Sequence, residues 1–108
     1  MKVLFILATT ASNLLLAGQA VAVDAGAAEA LAQKSGCLAC HSVSNKIVGP
    51  AYKDVAAKYK GDKTAEAKLI AKVKAGGSGV WGPIPMPPNS PQVKDEDIKT
   101  IVQWVLTL

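Results

Sequence analysis

The stretch Cys37-Leu38-Ala39-Cys40-His41 decides how this chain of 108 residues folds, because it places two thiols and one imidazole within five positions. A C-x-x-C-H run is typical of covalent c-type haem attachment. Two thiols at this spacing can add to the two vinyl groups of one porphyrin, and the histidine that follows can ligate the iron. The chain has one histidine and two cysteines, so a haem attached here has His41 as its single imidazole ligand.

The two cysteines also allow other interpretations. A thioredoxin-like redox pair normally lies in a βαβ unit, and strand patterns are scarce in this sequence. A zinc site needs four ligands, and Cys37, Cys40 and His41 supply three. A disulfide between the two cysteines is chemically allowed in an oxidising compartment. We therefore expect covalent haem, with the disulfide and the thiol oxidoreductase as the alternatives.

The N-terminus indicates export. Lys2 is followed by an apolar stretch from Val3 to Leu16, and Ala20-Val21-Ala22 is an A-x-A cleavage site. This layout is typical of a secretory signal peptide, while a retained membrane anchor needs ~18 or more apolar residues. We predict that residues 1–22 are a cleaved signal peptide and that residues 23–108 form one domain in the periplasm.

The composition of residues 23–108 limits the classes of function. Such a short chain makes a thin core, and small domains commonly need a metal or a cross-link for stability. Without Lys2, 11 lysines face eight acidic residues, and the chain has no arginine. Nucleic-acid recognition depends heavily on arginine, so we expect no nucleic acid as partner. Lysines on the surface suit transient encounters with an acidic protein.

Helical periodicity and capping signals predict an all-α fold of four short helices. The predicted helices are Asp24–Ser35, Ala51–Lys60, Thr64–Ala75 and Asp95–Leu106. Between the last two lies Gly79–Asn89, which holds four of the six prolines. Proline is excluded from helix interiors and from central strands, so this segment is predicted to be a stiff loop.

Met86 lies in the proline-rich loop, 45 residues after His41, and is the single methionine left after removal of the signal peptide. A methionine is ordinarily a flexible core residue. A thioether is, however, the known partner of histidine on the iron of cytochromes c, where it raises the reduction potential. The prolines would hold such a soft ligand rigidly, so we predict that Met86 is the second axial ligand.

These motifs together resemble the small bacterial class I cytochromes c, the short mono-haem type. The resemblance spans residues 23–108 and rests on Cys37–His41, Val48–Val55, Gly79–Asn89 and Trp104–Leu106. It implies the class I fold, with the helices wrapped around one covalently attached haem c. It also implies an electron carrier that does not span the membrane and is not an enzyme. The oligomeric state is left open by the sequence, although a monomer fits a carrier that must exchange partners. The implied partners are quinol-cytochrome c reductase and a terminal oxidase or nitrite reductase.

The resemblance also implies roles for single residues. The carbonyl of Pro50 would accept the imidazole N–H and set the ring orientation. The indole of Trp81 would donate to a haem propionate, Asn89 would hydrogen-bond the Met86 sulfur, and Lys72 would reach a propionate where relatives often have arginine. The alternative function is a haem-based sensor or a peroxidase-like enzyme, which would need Met86 to be displaceable.

The sequence departs from its relatives at two positions. Ala32 replaces an aromatic residue of the first helix, so its contact with the last helix is expected to be thinner. Lys94 replaces a serine that caps the last helix, so either Asp95 takes over the cap or the cap is lost. Loss of such a cap costs about 1 kcal/mol.

Overall fold

The computed structural model describes residues 23–108, and the predicted signal peptide lies outside the described residues. The helices are α1 (Ala25–Lys34), α2 (Tyr52–Lys58), α3 (Ala65–Ala75) and α4 (Asp95–Val105), with a short 3₁₀ helix at Cys37–Ala39 and two strands, β1 (Gly77–Gly79) and β2 (Gly82–Met86). The all-α prediction is confirmed, and each of the four α-helices lies at its predicted place. The main difference in length is at α2, which is three residues shorter than its predicted span of Ala51–Lys60.

The ends of α1 place the two cysteines. Asp24 caps the start of the helix, since its Oδ1 accepts the backbone N–H of Ala27 at 3.1 Å. Gly36 follows the helix with a φ of 81°, a left-handed conformation that glycine adopts without strain. The chain turns there and enters the 3₁₀ helix at Cys37. The attachment motif therefore follows the first helix directly, as predicted.

The core forms where α4 packs against α1 and α2. Its cluster of buried residues consists of Ala28, Ala32, Tyr52, Val55, Ile101, Trp104 and Val105. Ala32, where a thinner contact was expected, is fully buried in this cluster. Small side chains on α1 allow the two helices to approach closely, and the aromatic part of this core comes from Tyr52 and Trp104.

A hairpin of β1 and β2 occupies part of the predicted loop. The strands are antiparallel, with Gly77 opposite Met86 and Gly79 opposite Gly82. In this two-stranded sheet both strands are edge strands, so the prolines of β2 need not donate to a neighbour. The prediction that the segment is neither helix nor central strand holds, but sequence analysis did not anticipate the hairpin, because glycine and proline disfavour strands.

The start of α4 has lost its side-chain cap. Lys94 occupies the N-cap position with extended backbone and makes no side-chain capping bond. Asp95 does not replace it, because its carboxylate pairs instead with Lys74 Nζ at 3.0 Å. Of the two outcomes expected at Lys94, the observed one is therefore loss of the side-chain cap. Within residues 23–108, no helix is long and apolar enough to span a bilayer.

Candidate functional site

The two cysteines are free, half-buried thiols at either end of one tight turn. The backbone N–H groups of Cys40 and His41 both donate to the Cys37 carbonyl, at 3.2 and 3.0 Å, and hold this turn closed. Burial raises the pKa of the Cys37 thiol. The Cys37 thiol therefore lacks the lowered pKa that is typical of redox-active cysteines.

The His41 imidazole is oriented by the carbonyl of Pro50. Nδ1 lies 2.8 Å from the Pro50 oxygen. A carbonyl only accepts, so Nδ1 carries the proton and donates, which leaves the lone pair on Nε2. A ligating histidine normally has such a hydrogen bond on its other ring nitrogen. His41 is therefore held in the tautomer that a metal requires.

The segment that follows His41 folds back over the imidazole. The N–H of Gly49 donates to the Cys40 carbonyl at 2.7 Å, and the N–H of Tyr52 donates to the Ser42 carbonyl at 2.9 Å. Gly49 then lies so close to the ring that an added Cβ would be 2.5 Å from Cε1 of His41. The absence of a side chain at position 49 is thus a steric requirement of the imidazole.

His41 and Met86 line the same cavity, of about 140 Å³. Six of the eight predicted site residues line it: Cys40, His41, Pro50, Lys72, Trp81 and Met86. Cys37 lines a second cavity of about 100 Å³, which is shared with His41, Pro50 and Trp81. His41 thus lines both cavities, together with Cys40 in the first and Cys37 in the second. Asn89, the eighth residue, lines neither.

Asn89 lies behind the Met86 segment and ties it to α3. Its backbone N–H donates to the Val73 carbonyl at 3.1 Å, and its side-chain amide donates to the carbonyls of Val73 and Pro87, each at 3.2 Å. The side-chain amide of Asn89 thus already donates to two carbonyls. It can donate to the Met86 sulfur only if it gives up one of these two hydrogen bonds. Gly76, at the end of α3, also packs against the Met86 segment. A side chain at this position would collide with the Met86 carbonyl oxygen.

Trp81 and Lys72 bring polar groups to the largely apolar cavity. Trp81 is 41% exposed and lines both cavities, so this residue is not enclosed in a core. Lys58 Nζ lies over this ring, 5.6 Å from the centroid, at a distance typical of a cation–π contact. Lys72 Nζ lies against Gly77. Both Trp81 and Lys72 can donate hydrogen bonds to an anionic group at this edge.

The donor set fits a covalently attached haem. Two free cysteines line cavities that His41 also lines, Nε2 of His41 has a free lone pair, and the half-buried Met86 lines one of these cavities. Nitrogen and sulfur donors of this kind are those that hold haem iron in cytochromes c. The apolar lining suits a porphyrin face, while Trp81 and Lys72 suit its propionates.

Sequence reasoning missed the role of Tyr52 and of Gly49. Both lie in the Val48–Val55 motif, but only Pro50 was given a function there. The Tyr52 ring stacks on the His41 ring with centroids 4.9 Å apart and planes 18° apart. Nothing in the local pattern indicates this contact, because the helical spacing of Tyr52 predicts only a core position.

Comparison with known proteins shows which family the chain resembles. The family model for cytochrome c matches residues 24–108. Cytochrome c-551 of Allochromatium vinosum is 61% identical over 88 residues, covering 82% of this chain and 93% of that protein. Cytochrome c-551 of Pseudomonas aeruginosa is 50% identical over 107 residues, covering 99% of this chain and 98% of that protein.

A solved structure agrees in fold as well as in sequence. The crystal structure of wild-type Nitrosomonas europaea cytochrome c552 matches with a TM-score of 0.71 and 54% identity, covering 74% of this chain and 98% of that chain. The family model, the relatives and the solved structure therefore agree on family and fold. The chain belongs to the cytochrome c family, as a small class I bacterial cytochrome c that carries one covalently bound haem c and transfers electrons rather than acting as an enzyme.

Proposed function

We propose that this electron carrier has His41 and Met86 as the axial ligands of its iron and works in the periplasm between respiratory complexes. The observation that carries the proposal is that both side chains line one cavity, although 45 residues separate them in the sequence. The hydrogen bond from His41 Nδ1 to Pro50 supports the same assignment, because it leaves Nε2 as the donor atom.

Within this proposal, the chain holds both ligands rigidly. When bound, the haem supplies a one-electron Fe(II)/Fe(III) couple, and a thioether ligand favours the ferrous form. Met86 ends strand β2, and the hairpin, Gly76 and Asn89 fix its backbone against α3. A ligand held on such a backbone stays in place in both oxidation states, which minimises rearrangement during electron transfer.

The other predicted residues act at the edges of the site. Pro50 orients His41, and Asn89 supports the Met86 segment from behind. Trp81 and Lys72 line the cavity with donor groups that suit the haem propionates. The lysine is a flexible point charge with three donors, whereas arginine would give a planar bidentate contact.

Export follows from the predicted signal peptide. Cleavage after Ala22 would release residues 23–108, which include every described element of the fold. Haem attachment fits export because the cysteines must remain free thiols in a compartment where disulfides otherwise form. A monomer suits a carrier that exchanges between a quinol-cytochrome c reductase and a terminal oxidase or nitrite reductase, since such encounters are weak and transient.

The partners are proposed to dock at an apolar rim, defined here as Val48, Gly49, Pro83, Ile84, Pro87 and Pro88. All but Pro88 line the cavity of His41 and Met86. Val48 is 49% exposed and Ile84 is 62% exposed, so apolar atoms face solvent beside the site. Lys46 lines the same cavity, while Lys53 lines a different one, so Lys46 is the better placed to steer an acidic partner.

The substitution Met86→Ala tests the ligand assignment in the exported holoprotein. We expect the ferric variant to lose the weak near-infrared sulfur-to-iron band, to have a lower reduction potential and to bind added imidazole. Ile84→Ala is the matched control, because Ile84 belongs to the same strand but offers no sulfur donor; it should retain the band. A Met86→Ala variant that keeps the wild-type band and potential would exclude Met86 as a ligand.

The same preparation tests export and attachment. The intact mass of the wild-type protein under denaturing conditions should equal residues 23–108 plus one haem. A bare polypeptide mass after expression with the haem-maturation machinery would contradict covalent attachment, and a retained N-terminal segment would contradict cleavage after Ala22.

A further inference from the structure

The His41 imidazole is the end of a row of three aromatic rings that starts in the last helix. Trp104 of α4 meets Tyr52 of α2 edge to face, with centroids 5.6 Å apart and planes at 77°. Tyr52 in turn stacks on His41, with centroids 4.9 Å apart and planes at 18°. Offset stacking and edge-to-face contacts are the arrangements that aromatic pairs prefer. The row therefore connects the packing of α4 to the imidazole.

The middle ring of this row has little freedom to move. Tyr52 is 7% exposed and Trp104 is 3% exposed, so both rings are enclosed by the core. Tyr52 is also the first residue of α2, and its N–H donates to the Ser42 carbonyl, next to His41 in the chain. The ring is thus a fixed surface.

Besides the close approach of Gly49, the known contact of His41 is its hydrogen bond to Pro50, and the stack with Tyr52 adds a restriction on the plane of the ring. The hydrogen bond to Pro50 sets the direction of Nδ1. A single hydrogen bond acts as a pivot, about which the ring plane can still tilt. A nearly parallel neighbouring ring opposes this tilt, because tilting separates the stacked faces. Two different contacts therefore set two different degrees of freedom.

We infer that Tyr52 is a positioning residue that sets the plane of the His41 imidazole, with Trp104 holding Tyr52 in place. The inference rests on the proposed ligation of iron by His41. In this role the aromatic face of Tyr52 restricts the imidazole, and the phenol hydroxyl is not required. Phenylalanine should therefore replace Tyr52 in this role, whereas an aliphatic residue of similar size should not.

The wild-type holoprotein provides the first test, without any variant. In ferrous protein, the ring protons of an axial histidine are shifted far upfield by the porphyrin ring current. Nuclear Overhauser cross-peaks are expected between these His41 protons and the ring protons of Tyr52. If the shifted His41 protons are absent, the proposed ligation fails. If they are present but show no cross-peak to Tyr52, the ligation stands and the positioning inference is overturned.

Three variants provide the second test, read from the haem-methyl resonances of the ferric protein, whose order and spacing depend on the orientation of the axial ligands. Tyr52→Leu should change the spacing, and Tyr52→Phe should restore the wild-type pattern. Tyr59→Leu is the matched control, because Tyr59 lies at the end of the same helix and packs partly against the core. It should retain the wild-type pattern.

The control separates positioning from a general effect on stability. Equal changes in Tyr52→Leu and Tyr59→Leu, or a wild-type pattern in Tyr52→Leu, would overturn the inference. A changed pattern in Tyr52→Phe would also overturn it, since it would assign the effect to the hydroxyl. Should Tyr52→Leu fail to fold, the cross-peaks of the wild-type protein decide the question.

Discussion

Gly49→Ala is the sharpest test of how the chain confines its imidazole. A Cβ at position 49 would lie 2.5 Å from Cε1, 2.8 Å from Nδ1 and 3.1 Å from Nε2 of His41. The shortest of these is about 1 Å below the ~3.5 Å at which carbon atoms attract one another. Gly49 is not among the glycines with positive φ, so the effect of the substitution is steric and does not arise from the backbone conformation.

The displacement needed to relieve this clash can be compared with the hydrogen bond that orients the ring. If His41 moves by about 1 Å, its 2.8 Å bond to Pro50 is lengthened beyond the usual limit for hydrogen bonding or is misaligned. Overpacking costs roughly 1–3 kcal/mol, and a lost hydrogen bond adds roughly 0.5–1.5 kcal/mol. Alanine also restricts the unfolded chain, which offsets about 0.4–1 kcal/mol. We expect a net loss of about 0.5–4 kcal/mol in the free energy of unfolding.

The assay is guanidinium unfolding of the ferric holoprotein, together with its reduction potential. Gly26→Ala is the matched control, because a Cβ there would lie 3.5 Å from Asp24 Oδ1, an ordinary contact within α1. Alanine is the better helix former, so the control should gain up to about 1 kcal/mol. Equal free energies of unfolding for the two variants, with the wild-type potential in both, would refute the steric confinement of His41.

Three further predictions concern the docking surface and the response to acid. Ile84→Glu should slow electron transfer to a terminal oxidase or nitrite reductase without changing the absorption spectrum, because Ile84 is 62% exposed beside the site. Lys46→Glu should lower the association rate at low salt by up to about fivefold, the equivalent of ~1 kcal/mol for an exposed ion pair. Stopped-flow measurements over a salt series test the Ile84→Glu and Lys46→Glu predictions, with Lys53→Glu as the control. Equal rates for the wild type and these three variants would place docking elsewhere. Hydrogen bonds from the hydroxyl and backbone N–H of Thr64 lower the pKa of Asp62 below its ordinary 3.8. A lowered folded-state pKa stabilises the fold above the unfolded-state pKa, and this contribution is lost as the pH falls through the folded value. Stability should therefore fall below about pH 4 less steeply in Asp62→Asn than in wild type, and identical pH profiles would show that the Thr64 bonds do not contribute.

Local sequence determined the attachment motif and the helices. Cys37, Cys40 and His41 lie within one turn of chain, so their spacing alone indicates their chemistry. The helix limits follow from capping residues and glycines that act within a few positions, as Asp24 and Gly36 do around α1. Such signals involve neighbours in the chain, and neighbours in the chain are neighbours in space whatever the tertiary fold.

Tertiary packing decided what surrounds the imidazole. Nothing in the local patterns indicates that Gly49 and Tyr52 contact His41 or that Trp104 contacts Tyr52, because each pattern is equally typical of an ordinary loop or core position. The contacts arise when α4 packs against α2 and the chain after Cys40 folds back, which brings residues far apart in sequence to distances of a few ångströms. Periodicity shows which face of a helix is buried, but the residue that this face meets depends on how the helices pack.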